Sequence, residues 1–145
     1  MNDLMQDPMI LRQIIMDHYE YPRNHELTHD EAYMSRHMAS DSCIDDIYVE
    51  AKIIDHVIED IRFDGVACTI ATASTSIMSE LLKGKTIDEA NKIIENYHAM
   101  IDGKEYDEDL LEEAVCMHMV GKQANRIKCA TIGWKAIEEM IKESE

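Results

Sequence analysis

The chain has 145 residues, of which 46% are hydrophobic and 30% charged, and this size and composition predict a single domain, 1–145, with a real hydrophobic core. Its 30 acidic residues outnumber 14 basic ones, and the formal net charge of −16 repels phosphate backbones and anionic membranes, so no nucleic-acid or membrane partner is expected. No apolar run approaches the roughly 20 residues of a membrane helix, and the first residues lack a secretory signal pattern, which predicts a cytoplasmic protein.

The first predicted element is a helix that begins at Pro8 and ends before Pro22. His18 falls on its apolar face, and we interpret it as a packed core histidine and not as a ligand. The polar segment 24–42 follows. Its scattered histidines share no ligand spacing, so we interpret it as a loosely structured surface segment.

Two strands are predicted next, over 47–54 and 57–68. In the first strand, apolar residues alternate with Tyr48, Glu50 and Lys52, the pattern of a half-buried strand. A short Asp-His connection joins the strands into an antiparallel hairpin. The sequence therefore predicts a small antiparallel sheet with one face toward solvent.

The apolar spacing becomes helical after the second strand. Gly84 is expected to end the first of these helices, and a capping box of Thr86 and Glu89 to begin the second. The last helix is expected to turn Trp134 inward, with Ile137 and Ile141 on the same face. The predicted helices span 68–84, 86–100, 107–119 and 129–145.

Four cysteines could bear chemistry, and they are too far apart to form a Cys-x-x-Cys redox pair. They are Cys43, Cys68, Cys116 and Cys129. In a reducing cytosol disulfides are not expected, which leaves buried thiols, reactive thiols or metal ligands. Cys116 has neither a helix start nor a basic neighbour, and we assign it to the core or to a bystander role.

The other cysteines lie in settings that favour a thiolate. Cys68 lies at a strand-to-helix junction, and Cys129 lies near the start of the last helix, just after Arg126 and Lys128. Helix N termini and nearby cations both stabilise a sulfur anion.

The stretch "DSCIDD" adds Cys43 and Asp45 to these two cysteines. Three thiolates and one carboxylate suit a tetrahedral zinc site, and cysteine is also the usual ligand of iron–sulfur clusters. Spacing alone leaves the alternative open that the cysteines are small buried hydrophobic residues.

Four motifs together resemble the IscU/NifU-N family of iron–sulfur cluster assembly proteins, in the correct order along almost the whole chain. They are "IIMDHYEYPRN", Cys43 with Asp45, "FDGVACTIATAS" and "RIKCATIGWKAI". The chain is most similar to the SufU type, since "GKEYDEDLLEEAVCMHM" matches the insertion that separates SufU from IscU. Lys128 stands where IscU proteins carry a histidine ligand. The IscU motif Leu-Pro-Pro-Val-Lys for an Hsp70-type chaperone is absent.

The resemblance implies an α+β fold of the SufE/NifU-like kind, with a small three-stranded antiparallel sheet packed on one side by about five helices. It further implies zinc held by Cys43, Asp45, Cys68 and Cys129, and sulfur taken from a SufS-like cysteine desulfurase for downstream iron–sulfur assembly proteins. This chain has Ile44 where the family usually has glycine, so the neighbouring Asp46 stays an alternative oxygen ligand. Ala124-Asn125 replaces the usual Pro-Ala before the last motif.

We expect Cys43 to be the sulfur acceptor, because it lies on a loop and can leave the metal. Arg126 is expected to steady the site or the leaving ligand, with a surface ion pair as the alternative. Two other roles stay open: a scaffold that binds iron or a transient [2Fe–2S] cluster through the same ligands, and a regulatory binding domain with structural zinc.

Overall fold

The structure is a computed structural model that describes residues 7–39 and 44–144. Three antiparallel strands form one sheet in the order β1-β2-β3: β1 Met34–Ala39, β2 Asp46–Ile54 and β3 Val57–Val66. The α-helices within the described ranges are α1 Pro8–Glu20, α2 Thr69–Leu82, α3 Ile87–Ile101, α4 Glu108–Leu111 and α5 Ile127–Ser144. Short 3-10 helices cover Glu112–Met117, Val120–Lys122 and Ala124–Arg126. The predicted α+β fold with a small antiparallel sheet is confirmed.

Helices α2 and α5 pack on the sheet and against each other. Three inward residues of β2 are buried, namely Ile47, Val49 and Ala51, and the fourth, Ile53, is partly buried. The predicted inward face of α5 is also correct, since Trp134 and Ile137 are fully buried. Within the described ranges, no helix combines the length and apolarity that crossing a bilayer requires.

The predicted hairpin forms through a two-residue turn at Asp55 and His56. Both residues have positive φ, 52° and 63°, as a type I′ turn requires, and this turn follows the right-handed twist of the strands. Strand β3 ends at Val66, two residues earlier than predicted, so that Cys68 leaves the sheet and caps α2.

The interpretation of segment 24–42 as loosely structured was wrong for β1. Residues Met34–Ala39 pair with β2, and alternate residues of the strand turn toward the core. Arg36 is one of the inward positions, and its guanidinium reaches Glu139 and Glu143 on α5. Because a charged residue occupies an inward position, the sequence of β1 does not show the apolar–polar alternation that predicts a strand. Residues 40–42 of the segment lie outside the described residues.

Glu50 differs from the expected solvent-facing pattern of β2, because its side chain is only 5% exposed. Its carboxylate accepts hydrogen bonds from the backbone N–H and hydroxyl of Thr28, at 2.7 and 2.9 Å, and from the N–H of His29 at 3.1 Å. The segment before β1 therefore folds over part of the sheet's outer face, and the buried carboxylate satisfies its backbone donors.

Helix α1 begins and ends as predicted, with Asp7 accepting a hydrogen bond from the N–H of Met9. His18 is 1% exposed, and its Nδ1 lies 2.8 Å from Ser76 Oγ on α2. The interpretation of His18 as a packed core histidine is confirmed.

The helix predicted over 107–119 is much shorter in the structure. Helix α4 ends at Leu111, and Glu112 follows with a positive φ of 46°, which stops α-helical hydrogen bonding. The chain then continues as a 3-10 helix, in which Cys116 is 4% exposed. Cys116 thus belongs to the core, which is one of the two roles predicted for it.

Candidate metal centre

Three of the four predicted ligands converge at one end of the sheet. A carboxylate oxygen of Asp45 and the Sγ atoms of Cys68 and Cys129 all lie within 4.8 Å of one another. They come from distant parts of the chain: the residue before β2, the residue before α2 and the first turn of α5. Cys43 lies outside the described residues.

Cys68 is the N-cap residue of α2, and its sulfur accepts a hydrogen bond from the N–H of Ala71 at 3.4 Å. The N-terminal end of a helix carries a partial positive charge and unsatisfied N–H donors. Both stabilise negative charge on the sulfur. The side chain is half-buried, so the thiol is at the boundary between the core and solvent.

Asp45 is 1% exposed and lies directly against Cys68. Its Oδ1 accepts the backbone N–H of Cys68 at 2.8 Å, and its Oδ2 lies 3.8 Å from Cys68 Sγ. One carboxylate oxygen therefore fixes the carboxylate's orientation, while the other faces the thiol. A buried carboxylate is costly unless a positive charge or a metal compensates it.

Cys129 is the third residue of α5 and is 1% exposed. Its sulfur completes a group of two thiols and one carboxylate. Zinc with bonds of about 2.3 Å to sulfur holds two tetrahedral sulfur ligands about 3.8 Å apart. The observed separations need only small side-chain rotations to reach that value, so these residues fit a tetrahedral zinc ion.

The side chain of Asp46, the alternative oxygen ligand, contacts β1 and is not part of the group formed by Asp45, Cys68 and Cys129. Its Oδ1 lies 2.5 Å from His37 Nε2 on β1, and the side chain is about half exposed. Ile44, at the position of the family glycine, is 66% exposed. The isoleucine is therefore compatible with an Asp45 carboxylate that faces the two thiols.

Arg126 and Lys128 lie shortly before Cys129 in the sequence, and both side chains are exposed. Arg126 ends the last 3-10 helix, immediately before α5. Cys116, in contrast, is not among the converging donors and is a free thiol in the core. Burial is the main cause that raises the pKa of its thiol, and the nearby Glu113 adds to the effect.

Gly65 is a supporting residue that sequence analysis did not single out. It has a φ of +132°, and a Cβ atom there would lie 2.3 Å from the carbonyl oxygen of Asp46. Only glycine lets β3 approach β2 this closely, directly beside Asp45. A glycine inside a predicted strand, in "FDGVAC", was the available signal.

Comparison with known proteins gives the family. Residues 10–145 match the family described as NifU-like N terminal domain. The chain belongs to the NifU-like N-terminal domain family. This confirms the resemblance that the four motifs predicted.

Some similar members of the NifU-like family are named as sulfurtransferases and others as cluster assembly scaffolds. The zinc-dependent sulfurtransferase SufU of Bacillus subtilis (strain 168) is 37% identical over 137 residues, which cover 94% of this chain and 92% of SufU. The iron–sulfur cluster assembly scaffold protein IscU of Streptococcus pyogenes serotype M1 is 36% identical over 133 residues, which cover 90% of this chain and 82% of that protein.

A solved structure shares the fold. The crystal structure of FiSufU from Fervidobacterium islandicum AW-1 superposes with a TM-score of 0.79 at 30% identity, and the match covers 87% of this chain and 92% of that one. The two chains thus share the fold over most of their length.

Proposed function

We propose that this NifU-like protein works in iron–sulfur cluster assembly as a zinc-bound sulfur acceptor. Its zinc ligands are Cys43, Asp45, Cys68 and Cys129, and its sulfur donor is a partner cysteine desulfurase of the SufS-like kind. The observation that carries the proposal is the convergence of two thiols and a buried carboxylate. The similarity to a protein named as a zinc-dependent sulfurtransferase supports it.

The donor set favours zinc over harder cations. Magnesium and calcium prefer oxygen ligands, whereas thiolate ligands select zinc and iron–sulfur chemistry. When bound, zinc keeps its cysteine ligands deprotonated at neutral pH. Three thiolates and one carboxylate around a divalent ion leave a local charge of −2, and the exposed cations Arg126 and Lys128 partly offset it.

The transfer step needs a free thiolate, and Cys43 is the proposed acceptor. The Cys43 thiolate attacks the outer sulfur of the desulfurase persulfide. A new sulfur–sulfur bond forms on Cys43, the bond inside the donor persulfide breaks, and its electron pair leaves on the desulfurase thiolate. The step consumes no oxidant or reductant. Arg126 is the proposed supporting cation, whose charge would stabilise the Cys43 thiolate when it is not a metal ligand.

Downstream iron–sulfur assembly proteins are the proposed recipients, because sulfur on Cys43 must be removed before the next transfer. The proposed location is the cytoplasm, where the thiol pool keeps the cysteines reduced. The protein is thus a sulfur carrier that turns over only together with its donor and acceptor.

The decisive experiment measures cysteine-dependent sulfide release by purified partner desulfurase, with and without this protein. We expect strong stimulation by the unmodified protein and none by Cys43→Ser. Cys116→Ala is the matched control, because it removes a core cysteine that is not part of the donor group. Stimulation that survives Cys43→Ser would contradict the acceptor role and favour the regulatory domain with structural zinc.

A cluster scaffold is the second candidate, and the similarity to a protein named as an IscU scaffold favours it. The same sulfur ligands bind iron, so the donor set serves both roles. Metal analysis after oxygen-free purification separates them. Near-stoichiometric zinc without cluster absorption supports sulfur transfer. Iron and sulfide that are bound and then passed to an apoprotein support the scaffold.

A further inference from the structure

A buried polar cluster joins α2, α3 and α5 next to the candidate metal centre. Its members are Ser74, Tyr97, Trp134 and the backbone carbonyl of Ala130, and all four residues are at most 1% exposed. The hydroxyls of Ser74 and Tyr97 each donate a 2.6 Å hydrogen bond to the Ala130 carbonyl. The indole N–H of Trp134 donates to Ser74 Oγ at 3.1 Å.

The distances within the cluster indicate which acceptor each hydroxyl proton is donated to. The oxygens of Ser74 and Tyr97 lie 3.1 Å apart, but each hydroxyl has one proton, and the shorter contacts go to the Ala130 carbonyl. Burial raises the pKa of Tyr97, which keeps its hydroxyl a neutral donor. The Trp134 ring stacks on Tyr97 at 3.8 Å, which holds the phenol in place.

The cluster links the two elements that carry the thiols. Ser74 lies less than two turns after Cys68, the cap of the same helix α2. Ala130 directly follows Cys129 in α5. Because helices are rigid over this distance, a shift of α5 relative to α2 would break the hydrogen bond from Ser74 to the Ala130 carbonyl and move one thiol relative to the other. The Tyr97 hydroxyl holds the same carbonyl from α3, so α5 is tied to two helices at this point.

We propose that Ser74 and Tyr97 are positioning residues that set the distance between the sulfurs of Cys68 and Cys129, and thereby the affinity for the metal. The inference rests on the metal site of the proposed function. Ligand placement within about half an ångström is what a preorganised metal site needs. The two hydroxyls supply that precision without contacting the metal.

The test uses Ser74→Ala and Tyr97→Phe, each of which removes one oxygen atom. Zinc affinity is measured by competition with a chromophoric chelator, and we expect it to fall by about tenfold or more, the usual effect of losing a supporting contact of a metal site. Replacing zinc with cobalt gives a spectroscopic readout. Both variants should show weakened thiolate-to-cobalt charge-transfer absorption.

Matched controls remove hydroxyls that donate to groups other than the Ala130 carbonyl of α5. Ser79→Ala lies on the same helix, where the Ser79 hydroxyl donates to the Ser76 carbonyl at 2.7 Å. Tyr33→Phe removes the 2.5 Å hydrogen bond to Asp60. Both controls should keep zinc affinity within about twofold of the unmodified protein, even where urea unfolding shows a loss of stability.

The outcomes separate this inference from the proposed function. Wild-type affinity and cobalt spectrum in both test variants would overturn it, and so would an equal loss of affinity in the controls. If one test variant fails to fold by far-UV circular dichroism, the other decides. If both fail to fold, the cluster is a determinant of folding and the positioning role is rejected. If the unmodified protein binds no zinc, both proposals fail, whereas zinc binding that is insensitive to the variants defeats only this one.

Discussion

The backbone N–H of Cys68 donates a 2.8 Å hydrogen bond to Oδ1 of Asp45, so one candidate ligand fixes the backbone of another. The contact joins the start of β2 to the start of α2. It leaves Oδ2 facing the sulfur. This pair of contacts separates two roles of the same carboxylate, one in folding and one in the proposed metal binding.

Asp45→Asn tests that separation. The amide oxygen of asparagine can still accept the N–H of Cys68, so we expect the protein to fold, while the loss of the negative oxygen ligand weakens zinc binding by about tenfold or more. The measurement is chelator competition. Asp46→Asn is the control, since Asp46 contacts His37 instead. Equal zinc affinity in the Asp45 and Asp46 variants would argue against Asp45 as a ligand.

Gly65→Ala should destabilise the protein more than Gly84→Ala. Both glycines have positive φ, but a Cβ at Gly65 would lie 2.3 Å from the Asp46 carbonyl, whereas nothing lies within 4 Å at Gly84. The control therefore measures the strain of a positive φ without a collision, about 1 kcal/mol. The excess measures the close approach of the two strands together with the additional strain of a φ of +132° at Gly65. Urea unfolding gives both values. A similar loss in the two variants would show that β3 can move away from β2 at little cost.

Gly133→Ala tests the packing of α2 against α5. A Cβ at Gly133 would lie 2.5 Å from Oγ1 of Thr75, a fully buried side chain, so we expect a loss of about 1–3 kcal/mol in the free energy of unfolding. Thr75→Ala removes the colliding atoms. In a double-mutant cycle it should therefore recover part of the loss. Strictly additive effects would mean that the two helices are not in tight contact there.

The stability of the fold at acid pH should depend on Asp60. Burial alone would raise the pKa of this carboxyl, but hydrogen bonds from Tyr33, Lys83 and Arg62 outweigh it and lower the pKa from its ordinary value. A carboxylate with a lowered pKa in the folded state stabilises the protein above the unfolded-state pKa, and this stabilisation is lost as pH falls through the folded-state pKa.

The measurement compares the free energy of unfolding at pH 7 with that below about pH 4. Asp60→Asn should destabilise the protein at pH 7, and its difference from the unmodified protein should shrink as the pH falls. Asp102→Asn, at an exposed position, serves as control and should show no such convergence. A pH-independent difference at Asp60 would refute the charged role of its carboxylate.

Cys116 should resist alkylation in the folded protein. Its thiol is buried, and burial raises its pKa, so little thiolate is present at neutral pH. Cys68 is half-buried at a helix N terminus and should react with iodoacetamide after treatment with a chelator, which removes any bound metal. Mass spectrometry of the digested protein gives both rates. Equal labelling of the two cysteines before unfolding would contradict this assignment.

Local sequence patterns predicted the helices and strands well where the apolar residues of the pattern are the ones buried in the structure. Helical spacing predicted α1, α2, α3 and α5, because each buries one apolar face. Strand β1 was missed because Arg36 occupies an inward position that its ion pairs with α5 make tolerable. Glu50 lies on the outer face of the sheet and is nevertheless buried. This burial could not be predicted either, since it depends on a distant segment that folds over the sheet.

The candidate centre was only partly predictable for a similar reason. Local context indicated that Cys68 and Cys129 favour a thiolate, the stretch "DSCIDD" added Cys43 and Asp45 as candidate ligands, and the family resemblance implied the same set. Neither could show that these side chains meet, because their approach depends on how α2 crosses α5. Ser74 and Tyr97, whose hydroxyls donate to the Ala130 carbonyl of α5, look like ordinary core positions in the sequence.

The docking of α5 against α2 also bears on how fast a bound ion could escape. Cys129 is fully covered and lies one residue before the carbonyl that the two hydroxyls hold, so its departure requires the helix pair to separate. The rate of ion loss should then follow the opening rate of the helix pair. Amide hydrogen exchange along α5 would report the same event, and stabilising that helix would lengthen retention of the ion without any change to its ligands.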